Sequence, residues 1–155
     1  MTWLLSLALL AGCTYRVGAL PRFDGPVVVE QHGPWWIMWQ ALVYEDVGRH
    51  VDVPAGFTTG FASVPRLFWA ILPPDDPEYT GASIVHDRLY ETCELSRADS
   101  DRVFYQAMGV NGTPQWKRLV MYYAVRWFGA SAYATGPARR LIRMDAYRAI
   151  RDGRL

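Results

Sequence analysis

The sequence has few cysteines, one lysine and almost no net charge. Its two cysteines, Cys13 and Cys93, are too few for the disulfide framework of a small secreted scaffold. Lys117 is the only lysine among sixteen basic residues, and the net charge of +1 gives no sign of a nucleic-acid partner. The apolar run at residues 3–11 is far too short to span a bilayer.

Composition and the order of local patterns indicate one α+β domain. Hydrophobic residues make up 51% and aromatic residues 14% of the 155, which is enough to build a core. Residues 27–30, 35–45 and 50–53 have the patterns of strands, and helical patterns follow them. We therefore predict a small antiparallel β-meander of about three strands, then four to five helices, in a single domain at residues 26–132.

The amino terminus resembles that of a bacterial lipoprotein. The apolar run ends in Leu-Ala-Gly-Cys at residues 10–13, which is similar to a lipobox. The resemblance implies that residues 1–12 are a signal peptide, that Cys13 is acylated, and that residues 13–25 form a tether. Because Thr14 and not Asp follows the cysteine, it also implies the periplasmic face of the outer membrane. The run lacks the usual Lys or Arg before it, and an uncleaved apolar terminus is the alternative.

A histidine and an aspartate are predicted to meet across a helical hairpin. Helical patterns cover residues 80–92 and 97–110, with a turn near Cys93 and Glu94. Thr80 is the expected cap of the first helix, and Ser96 with Asp99 resembles a capping box that begins the second. His86 and Asp101 are equidistant from that turn, so they should face each other in an antiparallel pair. Helical spacing adds Tyr90 to the face that carries His86.

Two interpretations of this pair remain open. In the first, His86 is the general base of a hydrolase, Asp101 orients it, and Tyr90 supports it by a hydrogen bond. Asp87 would then be an electrostatic or metal-binding carboxylate, and Ser63 and Arg66 would close the site. An envelope anchor would suit a lipid ester or a cell-wall bond as substrate.

In the second interpretation, the His86–Asp101 pair only fastens two helices together. The protein would then be a non-catalytic envelope lipoprotein that binds a partner in lysis, superinfection exclusion or virion assembly. Geometry separates the two interpretations, because a catalytic pair must line an open pocket whereas a structural pair is covered.

The carboxyl-terminal third has two amphipathic helical patterns. In residues 114–128 we expect the apolar positions Trp116, Leu119, Val120, Tyr123, Ala124 and Trp127 to pack on the core, and a membrane-facing role is the alternative. Residues 133–155 carry six arginines against Asp145 and Asp152, a local excess of +4. This basic helix or tail is expected either to dock on the domain or to lie on anionic lipid or lipopolysaccharide.

Several blocks together resemble domain of unknown function family 1353. They include V-P-A-G-F at 53–57, T-G-F-A-S-V-P-R at 59–66, H-D-R-L-Y at 86–90, D-R-V-F at 101–104 and A-V-R-W-F-G at 124–129. The resemblance covers about residues 27–130 and implies a phage, prophage or bacterial origin, without a settled activity. Gly60 occupies a position where the family usually has aspartate, which is either a lost functional acid or a change of loop shape.

His86-Asp87 with Tyr90 and a later aspartate is also similar to the site of secreted calcium-dependent phospholipases. That likeness implies that a divalent cation such as calcium could bind at Asp87, that His86 would activate water, and that Asp101 would orient His86. The chain lacks the glycine-rich calcium loop and the disulfides of those enzymes. No cofactor is firmly implied.

Overall fold

The computed structural model describes residues 20–60 and 76–154, which form six short strands and five helices. The strands are β1 (Arg22–Asp24), β2 (Val29–His32), β3 (Trp35–Met38), β4 (Leu42–Asp46), β5 (Arg49–Val53) and β6 (Thr58–Thr59). The helices are α1 (Thr80–Thr92), α2 (Arg97–Val110), α3 (Gln115–Phe128), α4 (Ala130–Ala134) and α5 (Gly136–Arg151). The predicted α+β class, with antiparallel strands before helices, is confirmed.

The strands form two antiparallel sheets of three strands each. One sheet has the order β1-β4-β5 and the other the order β2-β3-β6. A tight turn at Val47 and Gly48 joins β4 to β5, and Gly48 has the positive φ of 76° that such turns favour. Side chains alternate along this hairpin, so that Leu42, Tyr44 and Val51 are buried.

Two expectations about the strands are wrong in detail. Residues 35–45 are not one strand, because β3 pairs with β2 and β6 while β4 pairs with β1 and β5. Residues 22–24, which were expected in the tether, form β1 and extend the β4–β5 sheet. The ring of Phe23 packs on Tyr44 with centroids 5.2 Å apart, and this apolar contact ties the segment to the domain.

The α1–α2 hairpin has the predicted bounds. Cys93 ends α1 in the left-handed conformation, with φ of 52°. Ser96 is the N-cap of α2, because its Oγ accepts a hydrogen bond from the Asp99 amide. The Asp99 carboxylate accepts from the Ser96 hydroxyl and not from the Ser96 amide that a full capping box would use. Thr80 does not cap α1; Tyr79 precedes the helix, and the Thr80 hydroxyl donates to the Asp76 carbonyl.

Helix α1 lies at the centre of the described structure, packed against α2, α5 and β5. It buries apolar side chains such as Ile84 and Leu89, and also charged ones such as Asp87 and Glu91. The apolar core joins both sheets to three helices and includes Met38, Leu42, Tyr44, Val53, Ile84, Val85, Leu89, Val103, Phe104, Met108, Met121 and Val125.

Helix α3 turns its predicted core face outward. Trp116, Tyr123 and Trp127 are 54%, 48% and 72% exposed, and Leu119 and Val120 are exposed as well. Of the residues expected inside, Ala124 alone is buried, and it packs inward beside Met121 and Val125. Because α3 has apolar residues on two faces, its sequence pattern does not specify which one meets α2.

Helix α5 docks on α1 through a face that buries Gly136, Arg143 and Ala146. Gly136 is required at this junction, because a Cβ there would run into the Tyr90 carbonyl oxygen. Within the described part of the chain, no helix is long and apolar enough to cross a membrane.

Candidate functional site

His86 and Asp101 meet across the α1–α2 hairpin as predicted. His86 Nε2 lies 2.9 Å from Asp101 Oδ1, and the Tyr90 hydroxyl donates to the same oxygen at 2.6 Å. Arg126, from α3, donates to Asp101 Oδ2 at 2.8 Å. One carboxylate on α2 therefore binds side chains from both neighbouring helices.

The partners of Asp101 keep this carboxylate ionised. Burial alone raises its pKa, but hydrogen bonds from His86, Tyr90 and Arg126 outweigh burial and hold the pKa below its usual value. An ionised carboxylate only accepts hydrogen bonds, so His86 Nε2 carries the proton that it shares with Asp101. Burial, together with the bond to Asp101, raises the pKa of the Tyr90 hydroxyl.

The pair is covered. His86 is 1% exposed and Asp101 0%. The imidazole stacks on Phe104 with centroids 4.7 Å apart and lies 4.0 Å from the Tyr90 ring. A general base must come within hydrogen-bond distance of the proton that it removes, and this burial counts against such a role for His86. The catalytic assignment of His86, Asp101, Asp87 and Tyr90 stays a prediction.

Asp87 belongs to a different cluster. Successive residues of a helix point about 100° apart, so Asp87 turns away from Asp101 and faces β6 and α5. Its Oδ2 accepts a hydrogen bond from the Thr59 hydroxyl at 2.5 Å and lies 3.4 Å from Arg143 Nη2. The residue after Thr59 is Gly60, so the position where the family usually has aspartate is next to this cluster.

Glu91 completes the second cluster one turn further along α1. Arg143 Nη1 lies 2.6 Å from Glu91 Oε1, although the two groups are not aligned as a hydrogen bond. Burial raises the pKa of Glu91 to about 7, against the opposite effect of Arg143. Both acids on this side of α1 thus share one arginine from α5.

The surroundings of Asp87 do not fit a calcium ion. Calcium takes six or more oxygen ligands, whereas the guanidinium of Arg143 lies beside this carboxylate and repels a cation. Among residues 20–60 and 76–154, no group of three or more His, Cys, Asp or Glu side chains could hold a metal ion.

Sequence reasoning missed the arginines that complete both clusters. Arg126 stands in the A-V-R-W-F-G block, which was a usable signal, but its contact with Asp101 depends on how α3 packs. Arg97 has its Nη1 3.8 Å from Asp101 and donates to the Arg126 carbonyl at 2.9 Å. Cys13, Ser63 and Arg66 lie outside the described residues, so their expected roles stay predictions.

Comparison with known proteins gives a family without an assigned activity. The chain is 41% identical over 83 residues to "Uncharacterized protein y4jT" of Sinorhizobium fredii (strain NBRC 101917 / NGR234). The match covers 53% of this chain and 25% of that protein, so the chain spans about a quarter of this curated relative. No solved structure matches. A family model described as "Protein of unknown function (DUF1353)" matches residues 36–125, and the chain belongs to that family.

Proposed function

We propose that this protein is a non-catalytic envelope lipoprotein that binds another protein through the outer face of α3. We call Trp116, Leu119, Val120, Tyr123 and Trp127 the α3 face. The observation that carries the proposal is a contrast in exposure: these apolar side chains lie in water, while His86 and Asp101 are covered.

The size of the α3 face supports a binding role. A fully exposed aromatic side chain offers roughly 150–250 Å², so the three aromatics leave on the order of 350 Å² of apolar surface in water. Exposed patches of about that size often mark interaction sites on soluble proteins. The rings of Tyr123 and Trp127 are 5.6 Å apart, so part of the face is continuous.

The charges around α3 favour a protein surface over an anionic bilayer. A helix that lies on a bilayer keeps its basic residues free for lipid headgroups. Here Lys117 pairs with Asp76 and Glu78, and Arg126 donates to the buried Asp101. The guanidinium of Arg118 lies 5.0 Å from the Tyr105 ring centroid. All three cations of α3 therefore have partners within the domain.

A lipid on Cys13 would keep the domain close to the envelope. The seven residue steps from Cys13 to Leu20 can span at most about 25 Å. The expected partner is a phage or host envelope protein, in lysis, superinfection exclusion or virion assembly. In this role, the His86–Asp101 pair holds α1, α2 and α3 in position and presents the α3 face.

Site-specific crosslinking in cells tests the α3 face. A photoreactive phenylalanine analogue replaces Trp127 in the full chain, and the control carries it at the exposed Asp145. We expect a defined adduct with a second protein from position 127 alone, and its loss when Leu119 and Tyr123 are changed to alanine. Adducts with lipid, adducts between two copies of this chain, or no adduct would overturn the proposal.

The hydrolase interpretation is tested separately. Purified wild type and His86→Ala are incubated with phospholipid vesicles and with peptidoglycan, and released products are measured. We expect no hydrolysis by wild type above the level of the heat-denatured protein. Hydrolysis by wild type that His86→Ala abolishes while remaining folded would establish the catalytic role and displace the binding proposal.

A further inference from the structure

A basic cleft lies between the loop before β6, helix α1 and helix α5. Its volume is about 310 Å³, and neither His86 nor Asp101 lines it. Residues 54–58 form one wall, and α1 contributes Arg88 and Glu91. The remaining lining comes from one side of α5.

The lining is rich in guanidinium groups. Among the described residues, five arginines line the cleft against one carboxylate, that of Glu91; they are Arg88, Arg140, Arg143, Arg148 and Arg151. The planar fork of a guanidinium matches the oxygens of a phosphate and can donate two parallel hydrogen bonds to them. This lining therefore suits a phosphate better than a cation or a neutral polar ligand.

One of the five arginines serves the domain itself. Arg143 is largely buried, pairs with Glu91 and Asp87, and lies with its guanidinium 5.8 Å from the Phe57 ring centroid. Its positive charge thereby compensates the negative charge of Asp87 and Glu91. The other arginines can then act on a ligand without leaving a buried acid unpaired.

The outer arginines of α5 are bound only at the surface. Arg148 is 3.2 Å from Asp145 and Arg151 is 2.9 Å from Asp152, and all four side chains are exposed. Exposed pairs of this kind are weak because water screens them, so a phosphate can compete for the arginines. Arg140, one turn before Met144, is exposed as well.

An apolar strip runs beside these charges. Phe57, Met144 and Tyr147 line the cleft together with the arginines. Tyr147 packs on Gly56, where a Cβ would come to 3.0 Å from its ring, and the φ of 81° at Gly56 favours glycine. A ligand with both a phosphate and an apolar part would use both kinds of lining.

We propose that this cleft binds a phosphate ester, with the phosphate held by the outer arginines and the apolar part of the ligand against Met144 and Tyr147. Such an ester could be a soluble organophosphate or the headgroup of an anionic phospholipid. The proposal uses none of the residues of the α3 face and does not depend on it.

Two binding measurements with the full chain carrying Cys13→Ser, which cannot be acylated and so cannot float through a lipid anchor, test the cleft and separate the two sources. Glycerol 3-phosphate is titrated calorimetrically, and phosphatidylcholine vesicles with and without phosphatidylglycerol are used in flotation. We expect binding to at least one phosphate-ester probe, weakened by salt. Binding to glycerol 3-phosphate points to a soluble ester, whereas binding only to vesicles with phosphatidylglycerol points to a lipid headgroup.

Matched arginine variants make the result specific. Arg140→Gln with Arg148→Gln should weaken binding roughly tenfold or more, because charge-assisted hydrogen bonds are lost. Arg102→Gln is the control, since Arg102 is equally exposed and pairs with Asp99 at the same i,i+3 spacing. Melting curves verify that both proteins fold.

The proposal fails if neither probe binds, or if Arg102→Gln weakens binding as much as the cleft variants do. Trp127→Ala should leave phosphate affinity unchanged within about twofold, since this residue does not line the cleft. If phosphate binds but no partner is crosslinked at the α3 face, the binding proposal for α3 is wrong. If a partner is crosslinked but no phosphate ester binds, the proposal for the cleft is wrong.

Discussion

At the residue scale, Asp101 is a fully buried carboxylate that depends on its polar partners. A carboxylate taken out of water is strongly destabilising unless charged and hydrogen-bonding partners surround it. His86, Tyr90 and Arg126 supply those partners from two neighbouring helices. The same interactions that could orient a catalytic histidine therefore also explain why an ionised aspartate is tolerated here.

Removing the charge of Asp101 should destabilise the fold more than removing one of its bonds. We expect Asp101→Asn to lower the free energy of unfolding by about 3–5 kcal/mol, since the neutral amide removes the counter-charge of Arg126 and keeps only one of the two acceptor oxygens that His86, Tyr90 and Arg126 use. Tyr90→Phe should lower it by roughly 1.5–3 kcal/mol, because one hydrogen bond to a charged group is lost. Urea denaturation near neutral pH measures both, and equal effects would contradict the central role of Asp101.

Glu91 should make stability depend on pH in a defined direction. Its pKa is raised by burial from 4.5 to about 7, so between these values the folded protein holds a proton that the unfolded chain has released. The contribution is fully present below pH 4.5 and is lost as the pH rises through about 7. The shift corresponds to roughly 3 kcal/mol.

Thermal melts between pH 5 and 8 check this dependence for wild type, Glu91→Gln and Glu94→Gln. The melting temperature of wild type should fall across that window, and Glu91→Gln should flatten the fall. Glu94→Gln is the matched control, because Glu94 is exposed at the end of the same helix and should leave the slope unchanged. A slope that survives in Glu91→Gln would assign it to another group.

At the element scale, α3 offers a direct comparison between its two apolar faces. Met121→Ala should lower the free energy of unfolding by about 2–5 kcal/mol, because Met121 is buried in the core. Trp127→Ala should change it by no more than about 0.5 kcal/mol, because the side chain is mostly in water. Denaturant titration of both variants measures the difference, and a large cost for Trp127→Ala would mean that the outer face stabilises the monomer.

The elements also show what sequence alone can predict. The bounds of α1 and α2, the cap at Ser96 and the meeting of His86 with Asp101 follow from signals within about 30 residues of chain. The outward turn of α3 does not, because its two apolar faces compete and the choice depends on distant packing. The contact of Arg143 with Glu91 and Asp87 was missed for the same reason, since Arg143 lies 56 residues after Asp87 in the sequence.

At the scale of the whole molecule, α5 packs against the side of α1 that carries Asp87 and Glu91. The family match ends at residue 125, so α5 lies beyond it. Even so, Arg143 is the partner of two buried acids on the central helix. We therefore expect α5 to unfold together with the core and not as an independent appendage.

Hydrogen exchange tests that cooperativity. In wild type, the amides near the middle of α5 should exchange with about the same free energy as those of α1, because opening α5 takes the guanidinium of Arg143 away from Asp87 and Glu91. Arg143→Leu should lower the free energy of opening α5 by about 3 kcal/mol, which corresponds to exchange on the order of a hundredfold faster in this helix. Adding Glu91→Gln to Arg143→Leu should restore part of the protection, since one unpaired acid is removed. Fast exchange of α5 in the wild type would show instead that this helix opens alone, and that the Arg143 ion pairs do not join it to the core.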